Sequence, residues 1–534
     1  MVLKSRHPPV NVPFEPVHEK LLKAAWSHAI IHPTRPAFVS ARDENKYITY
    51  GELYTQVHSV AAFLRDRGFK RGDVGAVVLP NCIEWPVIFL GTCAAGGAAS
   101  GASAACTEYE LERQFLDSQS SVVFTDEEHV NKVQIAAKNC PRIHSIVCIH
   151  NQHSTHSHLP ANIIDWQDVI STRPFSQLEK SSPDDLAMIP YSSGTTGVPK
   201  GVMISHMNYK IPNFDWRKET LIHNLPLYHL FGFAMFSIHI LVGCTGVVLE
   251  KFDPVTYMMS ISKHRPNIVY IVPPILIFLA KHPVVKEYDF SSVKLVLCGA
   301  APAGNDICEE FLSVHKNVKF LCQLYGATES CMPNHFPELN RKDTYVGVGD
   351  LVSTFEQKTI DPVTGKELGP GERGEICLRG PTVMKGYLNR PEATAETIDK
   401  EGWLHTGDIG YYTEDGRTHI VDRIKELIKV APAELEGILL SHPMVKDAAV
   451  IGIPDKMRGE LVRAYIVRAN DILSEDDVIK FISHKVSEYK HITGGVKFIQ
   501  EVPKSPSGKI LRRKLKDEAA AEMKSKLKDA YIIC

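Results

Sequence analysis

The sequence has no excess of charge of either sign. Its 60 lysine and arginine residues stand against 62 aspartate and glutamate, a formal net charge of −2. A nucleic-acid binder ordinarily carries a basic patch large enough to tip that balance, so no nucleic acid is expected as a partner. There is no CxxC pair and no His/Cys cluster at zinc spacing, although the chain has 12 cysteines. Cysteines scattered this way read as small buried apolar residues of a reducing compartment, and exclude a disulfide framework as the organising device. Met1 to Phe14 lack an apolar core, so no secretory leader is expected. Convincing membrane spans are also missing. Leu230 to Leu249 carries no formal charge and has bilayer length, but it contains His239, and Gly243-Cys244-Thr245-Gly246 interrupt it. A buried helix, a glycine turn and a short strand fit that pattern better. Trp85 to Cys106 is equally uncharged, yet alanine and glycine dominate it, and they give little membrane affinity. No short repeat, no low-complexity tract and no GxxxxGK[ST] nucleotide loop occurs.

What is there is ordinary globular material in unusual length. A chain of 534 residues, 44% hydrophobic and 23% charged, is too long for one core, so at least two domains are expected. Apolar runs of strand length (Val74–Leu79, Ser121–Phe124, Ile146–Ile149, Ile268–Ile271, Lys294–Leu297) alternate with helix-like segments such as Tyr50–Arg67 and Ile307–Val314. That alternation predicts α/β architecture with largely parallel sheets. From about Ser353 turn signals crowd together (Asp361-Pro362, Thr364-Gly365, Gly369-Pro370-Gly371, Glu414-Asp415-Gly416), which predicts a β-rich subdomain over residues 353–421. After Asp422-Arg423 the chain turns compact, charged and α+β, with helices over Ala433–Leu440 and Glu475–Lys485 and a strand over Ala448–Gly452. The expected organisation is an N-terminal domain of layered α/β sheets over residues 1–421, a hinge at 422–425, and a small α+β C-terminal domain over 426–534.

The sharpest local feature is Tyr191-Ser192-Ser193-Gly194-Thr195-Thr196-Gly197-Val198-Pro199-Lys200-Gly201, set between two strand candidates, Leu186–Pro190 and Val202–Ile204. Glycines let backbone N–H groups close on phosphate oxygens, hydroxyls donate further bonds, and the lysine adds positive charge. It is no Walker loop, because Pro199 stands where that loop would start a helix. A flexible surface loop has a similar composition; the number of matched positions sets the two readings apart.

This loop resembles the phosphate loop of the adenylate-forming superfamily, which comprises acyl-CoA synthetases, 4-coumarate–CoA ligases, firefly luciferases and peptide-synthetase adenylation domains. The resemblance runs from about His28 to about Lys516 and is nearest to the 4-coumarate–CoA ligase and luciferase branch. It implies ATP, Mg²⁺ and coenzyme A, and a small-molecule carboxylic acid as the group activated. Ser192, Ser193, Gly194, Thr195, Thr196, Gly197 and Lys200 would hold phosphates. Leu225-Pro226-Leu227-Tyr228-His229 resembles the substrate-channel motif, with His229 meeting the acyl group; by residue type alone His229 reads better as a core histidine, and only its place in the motif series reverses that. Gly299-Ala300-Ala301-Pro302 resembles the turn that packs on adenine, where Ala301 would lie. In Gln323-Leu324-Tyr325-Gly326-Ala327-Thr328-Glu329, the resemblance places Gln323, Tyr325 and Gly326 at the base, Thr328 at the α-phosphate and Glu329 on Mg²⁺, a hard cation that wants carboxylate oxygen. Leu324 replaces a glycine common in relatives and is expected to narrow the acyl pocket. Gly402-Trp403-Leu404-His405-Thr406-Gly407-Asp408 resembles the ribose motif, with Asp408 accepting from the hydroxyls and Asp422-Arg423 adding a second ribose or phosphate contact; without the neighbouring motifs either Asp reads better as a turn cap. Pro503-Lys504-Ser505-Pro506-Ser507-Gly508-Lys509 resembles the catalytic-lysine motif, in which Lys509 stabilises charge developing at the α-phosphate. Lys425 and Lys429 match the hinge lysine and a site-facing lysine, and Lys251 matches a position that meets coenzyme A.

The departures are as informative. Between Asp422-Arg423 and Pro432, relatives carry a loop about five residues longer, containing a Lys-Gly pair that lines the coenzyme A tunnel; loops are where such length changes concentrate. The expectation is intact adenylation with a slowed thioester step. Asn208 to Asn224 is short for the helix that relatives place there. Ser525-Lys526-Leu527 would be a peroxisomal address only at a chain end, so as an internal tripeptide it leaves a cytoplasmic location expected. A monomer or homodimer is expected. A luciferase-type oxygenase and a degenerate nucleotide binder are the competing readings; the retained Lys509, Glu329 and Asp408 speak against the second.

Overall fold

A computed structural model of the chain describes residues 2–9, 13–150, 159–160, 162–174, 178–192, 199–209, 220–300, 303, 305–331, 333–341, 343–423, 432–440, 442–455, 459–503, 512 and 514–522. The chain forms two compact units, residues 1–104, 115–191 and 201–424 in one and 105–114, 192–200 and 425–534 in the other.

The first unit is layered α/β. Its largest sheet runs in the order Tyr191–Ser192, Lys200–Ser205, Leu186–Met188, Ala98–Ala102, Val74–Val78, Ser120–Asp126, Ser145–Ile149 and Ile163–Asp165, with Gly386–Tyr387 pairing Lys200–Ser205. From Leu186–Met188 onward all neighbours are parallel, as the alternation of strand and helix periods requires. The Val74–Val78, Ala98–Ala102 and Ser120–Asp126 strands are buried throughout, which is why the first two read as unbroken apolar or small runs and the third has the apolar centre Val122–Phe124. Two smaller sheets follow. Thr220–His223, Thr245–Val248 and Pro36–Ser40 are parallel, with Tyr47–Thr49 antiparallel at the edge. Ile268–Ile271, Leu295–Cys298 and Phe320–Gln323 are all parallel. The expected strand over Lys294–Leu297 lies one residue later, within the usual uncertainty of element ends. Asn208–Asn224 ends in strand Thr220–His223; the rest of the expected helix falls on residues 210–219, outside the described part.

Local chemistry explains the main helices. Tyr50–Asp66 starts at Thr49, whose hydroxyl accepts from the Glu52 N–H while the Glu52 carboxylate accepts from the Thr49 N–H, a reciprocal cap. The uncharged run forms a helix over Leu230–Val242, a left-handed Gly243 at φ +79° and the strand Thr245–Val248. A methyl group on Gly243 would also meet the His28 ring at 2.4 Å. His239 in that helix is fully buried and hydrogen-bonds His223 at 2.9 Å, the behaviour of a core histidine. No helix among the described residues is long and apolar enough to cross a membrane, and no disulfide joins cysteines among the described residues.

The β-rich part is an antiparallel sheet of Glu356–Ile360, Gly374–Arg379, Leu404–Tyr412 and Thr418–Arg423, with Glu367–Leu368 and the N-terminal Leu3–Lys4 on Glu356–Ile360. In the second unit Val445–Asp455 and Gly459–Arg468 form a long antiparallel pair, Val496–Phe498 adds in parallel, and helices Pro432–Leu440 and Glu475–Ser483 accompany them. Its core is Leu435, Leu439, Val450, Ile466, Val478 and Ile482. The architecture is therefore a large α/β domain with a β-rich subdomain, and a small α+β body.

Candidate functional site

The described candidate residues lie at strand ends and the turns after them, at helix caps and on one bulged strand, most of them in the first unit, with Ser192 and Lys200 in the second. At the C-terminal end of Leu295–Cys298 the chain passes through Gly299 into Ala300, which adopts φ +72°. That left-handed turn bends the backbone sharply where a flat ligand needs close approach. Gln323, at the end of the neighbouring strand, braces the turn: its carbonyl oxygen accepts from the Ala303 N–H at 2.8 Å, and its amide donates to the carbonyls of Ala303 at 3.0 Å and Tyr345 at 2.7 Å. Gln323 is buried with its amide engaged in this way. Ala301 and Pro302 lie outside the described residues.

After Gln323 the chain runs through Leu324, Tyr325, Gly326 and Ala327 into a single 3₁₀ turn, Thr328–Ser330. The Tyr325 hydroxyl donates to an oxygen of Asp408 at 2.6 Å. Asp408 is buried, and its backbone N–H donates to the Thr406 hydroxyl at 3.1 Å. Two motifs 83 residues apart are thus joined by one short bond. Gly326 is exposed and Thr328 half-buried, facing the same turn.

Glu329 is held from two sides. Its carboxylate accepts from the Tyr387 hydroxyl at 2.9 Å, and its backbone carbonyl accepts from the Met384 N–H at 2.8 Å. Glu329 also acts on His229, which caps the Leu230–Val242 helix; its Nδ1 accepts from the Phe231 N–H at 3.4 Å. With Nδ1 accepting, the proton of the neutral ring sits on Nε2. The ring is reachable by solvent but enclosed by protein, and that enclosure lowers its pKa against the opposing pull of Glu329. Gly299, Phe231 and Leu324 crowd together: a methyl on Gly299 would lie 3.2 Å from the Phe231 ring and 3.7 Å from the Leu324 Cβ. Gly101 fixes the approach from the large sheet, since a methyl there would meet Tyr228 at 2.5 Å.

The flanks of the Ser/Gly/Thr loop are described and its centre is not. Tyr191 is anchored by its hydroxyl, which donates to Asp117 at 2.8 Å; Ser192 ends that strand, and Lys200 is buried at the start of the next. Ser193, Gly194, Thr195, Thr196 and Gly197 lie outside the described residues, as do Lys425, Lys429 and Lys509. The backbone of Arg423 pairs with that of Asp408 in neighbouring strands. Lys251 is exposed, two residues before Asp253, which caps the Pro254–His264 helix.

Sequence reasoning missed Tyr387, which bonds Glu329, and a cluster of three side chains in the β-rich part. Tyr387 follows Gly386, whose φ of +139° permits the turn that aims the phenol at Glu329; a glycine-aromatic pair after a β-rich stretch was the available signal. Glu375, Cys377 and His405 bring a carboxylate oxygen, a thiol and a ring nitrogen within 4.8 Å of one another. No sequence spacing reveals that cluster, because strand register assembles it.

Similarity to known proteins extends over nearly the whole chain. The family described as AMP-binding enzyme matches residues 26–388, and that described as AMP-binding enzyme C-terminal domain matches residues 434–509. The chain is 37% identical to 4-coumarate–CoA ligase 2 of Nicotiana tabacum over 548 aligned positions, covering 98% of each chain. It is 36% identical to the peroxisomal OPC-8:0-CoA ligase 1 of Arabidopsis thaliana, covering 96% of this chain and 95% of that one. Among solved structures, an amide bond synthetase from Marinactinospora thermotolerans superposes with TM-score 0.80 at 24% identity, over 94% of this chain and 99% of that one. An o-succinylbenzoate CoA synthetase from Bacillus subtilis does so with TM-score 0.78 at 25% identity, over 95% and 98%.

Proposed function

Because the chain belongs to the AMP-binding enzyme family, we propose a division of labour among its residues for the reaction of that family's acid–CoA ligases. It is an AMP-forming acid–CoA ligase: a carboxylic acid is activated by ATP to an acyl-adenylate with release of pyrophosphate, and the acyl group passes to coenzyme A. The observation that carries the assignment of residues is the Tyr325–Asp408 bond of 2.6 Å. It brings the adenine-motif tyrosine and the ribose-motif carboxylate together, so one nucleoside can lie against both. Asp408, ionised, accepts from ribose hydroxyls, and the Ala300 turn and Tyr325 flank the base. Thr328 faces the α-phosphate, while Ser192 and Lys200 bracket the phosphate loop.

Mg²⁺ fits Glu329, a half-buried oxygen donor oriented by Tyr387; when bound, it neutralises phosphate charge. His229, neutral and donating through Nε2, stands where the acyl carboxylate enters. The acid is aromatic or fatty, the classes named in the relatives, and Phe231 and Leu324 set its width. Residues 422–425 serve as the hinge, Lys509 supplies the charge-stabilising group of adenylation, and Lys425, Lys429, Arg423 and Lys251 take the supporting roles that the family resemblance gives them. The site of action is the cytoplasm or the peroxisome, and the likeness to a relative named as peroxisomal supports the second.

Pyrophosphate exchange over a panel of hydroxycinnamic and fatty acids, with coenzyme A-dependent AMP release followed in parallel, tests the reading. Acid-dependent exchange that persists in Asp408→Ala, with an unchanged KM for ATP, would overturn the ribose assignment.

A further inference from the structure

The strand pair Gly374–Arg379 and Leu404–Tyr412 is irregular where it matters. Cys377 pairs with His405, but Glu375 pairs with Ile409. Two steps on one strand are thus matched by four on the other, and Thr406, Gly407 and Asp408 are pushed out of the ladder as a bulge. On the far side the register slips again between Ile409 and Gly410. A bulge in a half-buried sheet leaves backbone groups without ladder partners, and these need other partners.

Side chains supply them. The Gly407 N–H donates to one oxygen of Glu375 at 3.0 Å, the Thr406 hydroxyl donates to the Ile376 carbonyl at 2.7 Å, and the Asp408 N–H donates to the Thr406 hydroxyl at 3.1 Å. Gly407 takes φ +71°, so the bulge has one backbone course that other residues disfavour. The second oxygen of Glu375 lies 3.0 Å from the His405 Nδ1. On its other side the His405 Nε2 is 3.6 Å from Asp399, which itself accepts the N–H groups of Glu401 and Trp403, each at 2.9 Å. Glu375 is buried, and its carboxylate raises the pKa of His405. A cation at this cluster would displace the His405 proton and sit beside Lys358, which acts on both Cys377 and Asp399. The arrangement is that of a charged brace rather than a metal centre.

We propose that Glu375 is a positioning residue for nucleotide selection: by clamping the Gly407 N–H and His405 together it fixes the bulge that presents the Asp408 carboxylate to the ribose. This rests on the reading of Asp408 as the ribose contact. Glu375 meets neither substrate nor reacting atoms, so its removal acts through Asp408. Groups that bind ground state and transition state alike govern KM more than kcat.

The test is pyrophosphate exchange with ATP and with 2′,3′-dideoxy-ATP on the full chain. The wild type is expected to prefer ATP. In Glu375→Ala the KM for ATP should rise about tenfold or more, a loss on the order of one charged hydrogen bond. The KM for the dideoxy nucleotide should barely move and kcat should change little, so the preference collapses. Glu375→Gln keeps an acceptor for Gly407 and should retain most of the preference. Thr406→Val, which strips the other anchor of the bulge, should lose it and carries the test if Glu375→Ala does not fold. A brace that were only structural would raise both KM values together. If Asp408→Asn keeps the preference, the ribose reading itself is wrong. If Asp408→Asn loses it while Glu375→Ala and Thr406→Val keep it, the positioning role is overturned.

Discussion

The larger unit buries several histidines as neutral rings, and this should make it acid-labile by an amount that can be worked out. His18, in the helix Val17–Ile31, is fully buried with neither ring nitrogen hydrogen-bonded. Burial, reinforced by His206 at 5.4 Å between ring centroids and by His58, lowers its pKa to about 3. Burial likewise takes His239 to about 3 and His206 and His335 to about 4. A histidine depressed in the folded state contributes stability above its unfolded pKa of about 6.5, and that contribution is lost as pH falls toward the folded value. Between pH 8 and pH 5 the loss is about 2 kcal/mol for each such ring. Taken as independent, the four rings lose about 8 kcal/mol, comparable with the whole stability of an ordinary domain. His405 and His150 work the other way. Hydrogen bonding to Glu375 raises His405, and Glu127 and Asp165 outweigh burial at His150, so their contributions are present below pH 6.5 and fade as pH rises. The decisive variant is His18→Met, which removes the titration and keeps an apolar side chain of similar bulk. Urea unfolding followed by tryptophan fluorescence at pH 8 and pH 5 gives its stability relative to wild type at each pH. The variant should gain about 2 kcal/mol on wild type between the two, whatever its absolute cost. A relative stability that is the same at both pH values would refute the claim that His18 is buried neutral.

Three further outcomes concern catalysis. Glu329→Gln should weaken adenylation strongly, whereas Glu396→Gln, on the exposed side of the short helix Pro391–Thr397, should be near neutral; Tyr387→Phe should fall between them, about tenfold down, because one hydrogen bond to a charged group is lost, and equal rates for all three in pyrophosphate exchange would sink the assignment. Leu324→Gly should move the preferred acid toward bulkier ones, with a change in relative kcat/KM of about 10-fold or more per methylene accommodated; an unshifted acid profile would remove Leu324 from the pocket. Lys509→Ala should abolish pyrophosphate exchange, while a five-residue Lys-Gly-containing insertion after Lys429 should speed thioester formation alone, by up to ~10²-fold if the shortened loop misplaces the thiol by about an ångström; a native chain that already forms thioester as fast as adenylate would show that the loop costs nothing.

Much of the architecture was legible because it depends on short-range patterns. Unbroken apolar runs announced Val74–Val78 and Ser145–Ile149, and the glycine break at Gly243 separated the Leu230–Val242 helix from its strand. The switch to turn-rich sequence after Ser353 marked the β-rich subdomain. Illegible features depend on long-range register. Leu3–Lys4 is too short to show any period, and only its pairing with Gln357 and Glu356 makes it a strand. Glu375 reads as an ordinary polar residue between strand neighbours; its function is set by which residue opposes it across the bulge. Tyr387 sits 58 residues from Glu329, and nothing local says that the phenol will reach it.

The two carboxylates at the heart of the site share a device that follows from this folding. Asp408 accepts from Tyr325 and Glu329 accepts from Tyr387. A phenol fixes the direction of a carboxylate without cancelling its charge, whereas an arginine or lysine would do both. In the roles proposed for them, Asp408 accepts from neutral ribose hydroxyls and Glu329 attracts a hard cation, and both roles need the negative charge. Anchoring each by a neutral donor on a different strand end orients the groups before substrate arrives, so little reorganisation is left for the reaction itself. Other carboxylates of this unit are held by guanidinium groups. Glu356 is paired to Arg379, and Asp343 to Arg417, by guanidinium groups, and in these pairs the carboxylate charge is spent on holding strands and turns together. Within this part of the fold, phenols orient Asp408 and Glu329, while guanidinium groups hold Glu356 and Asp343.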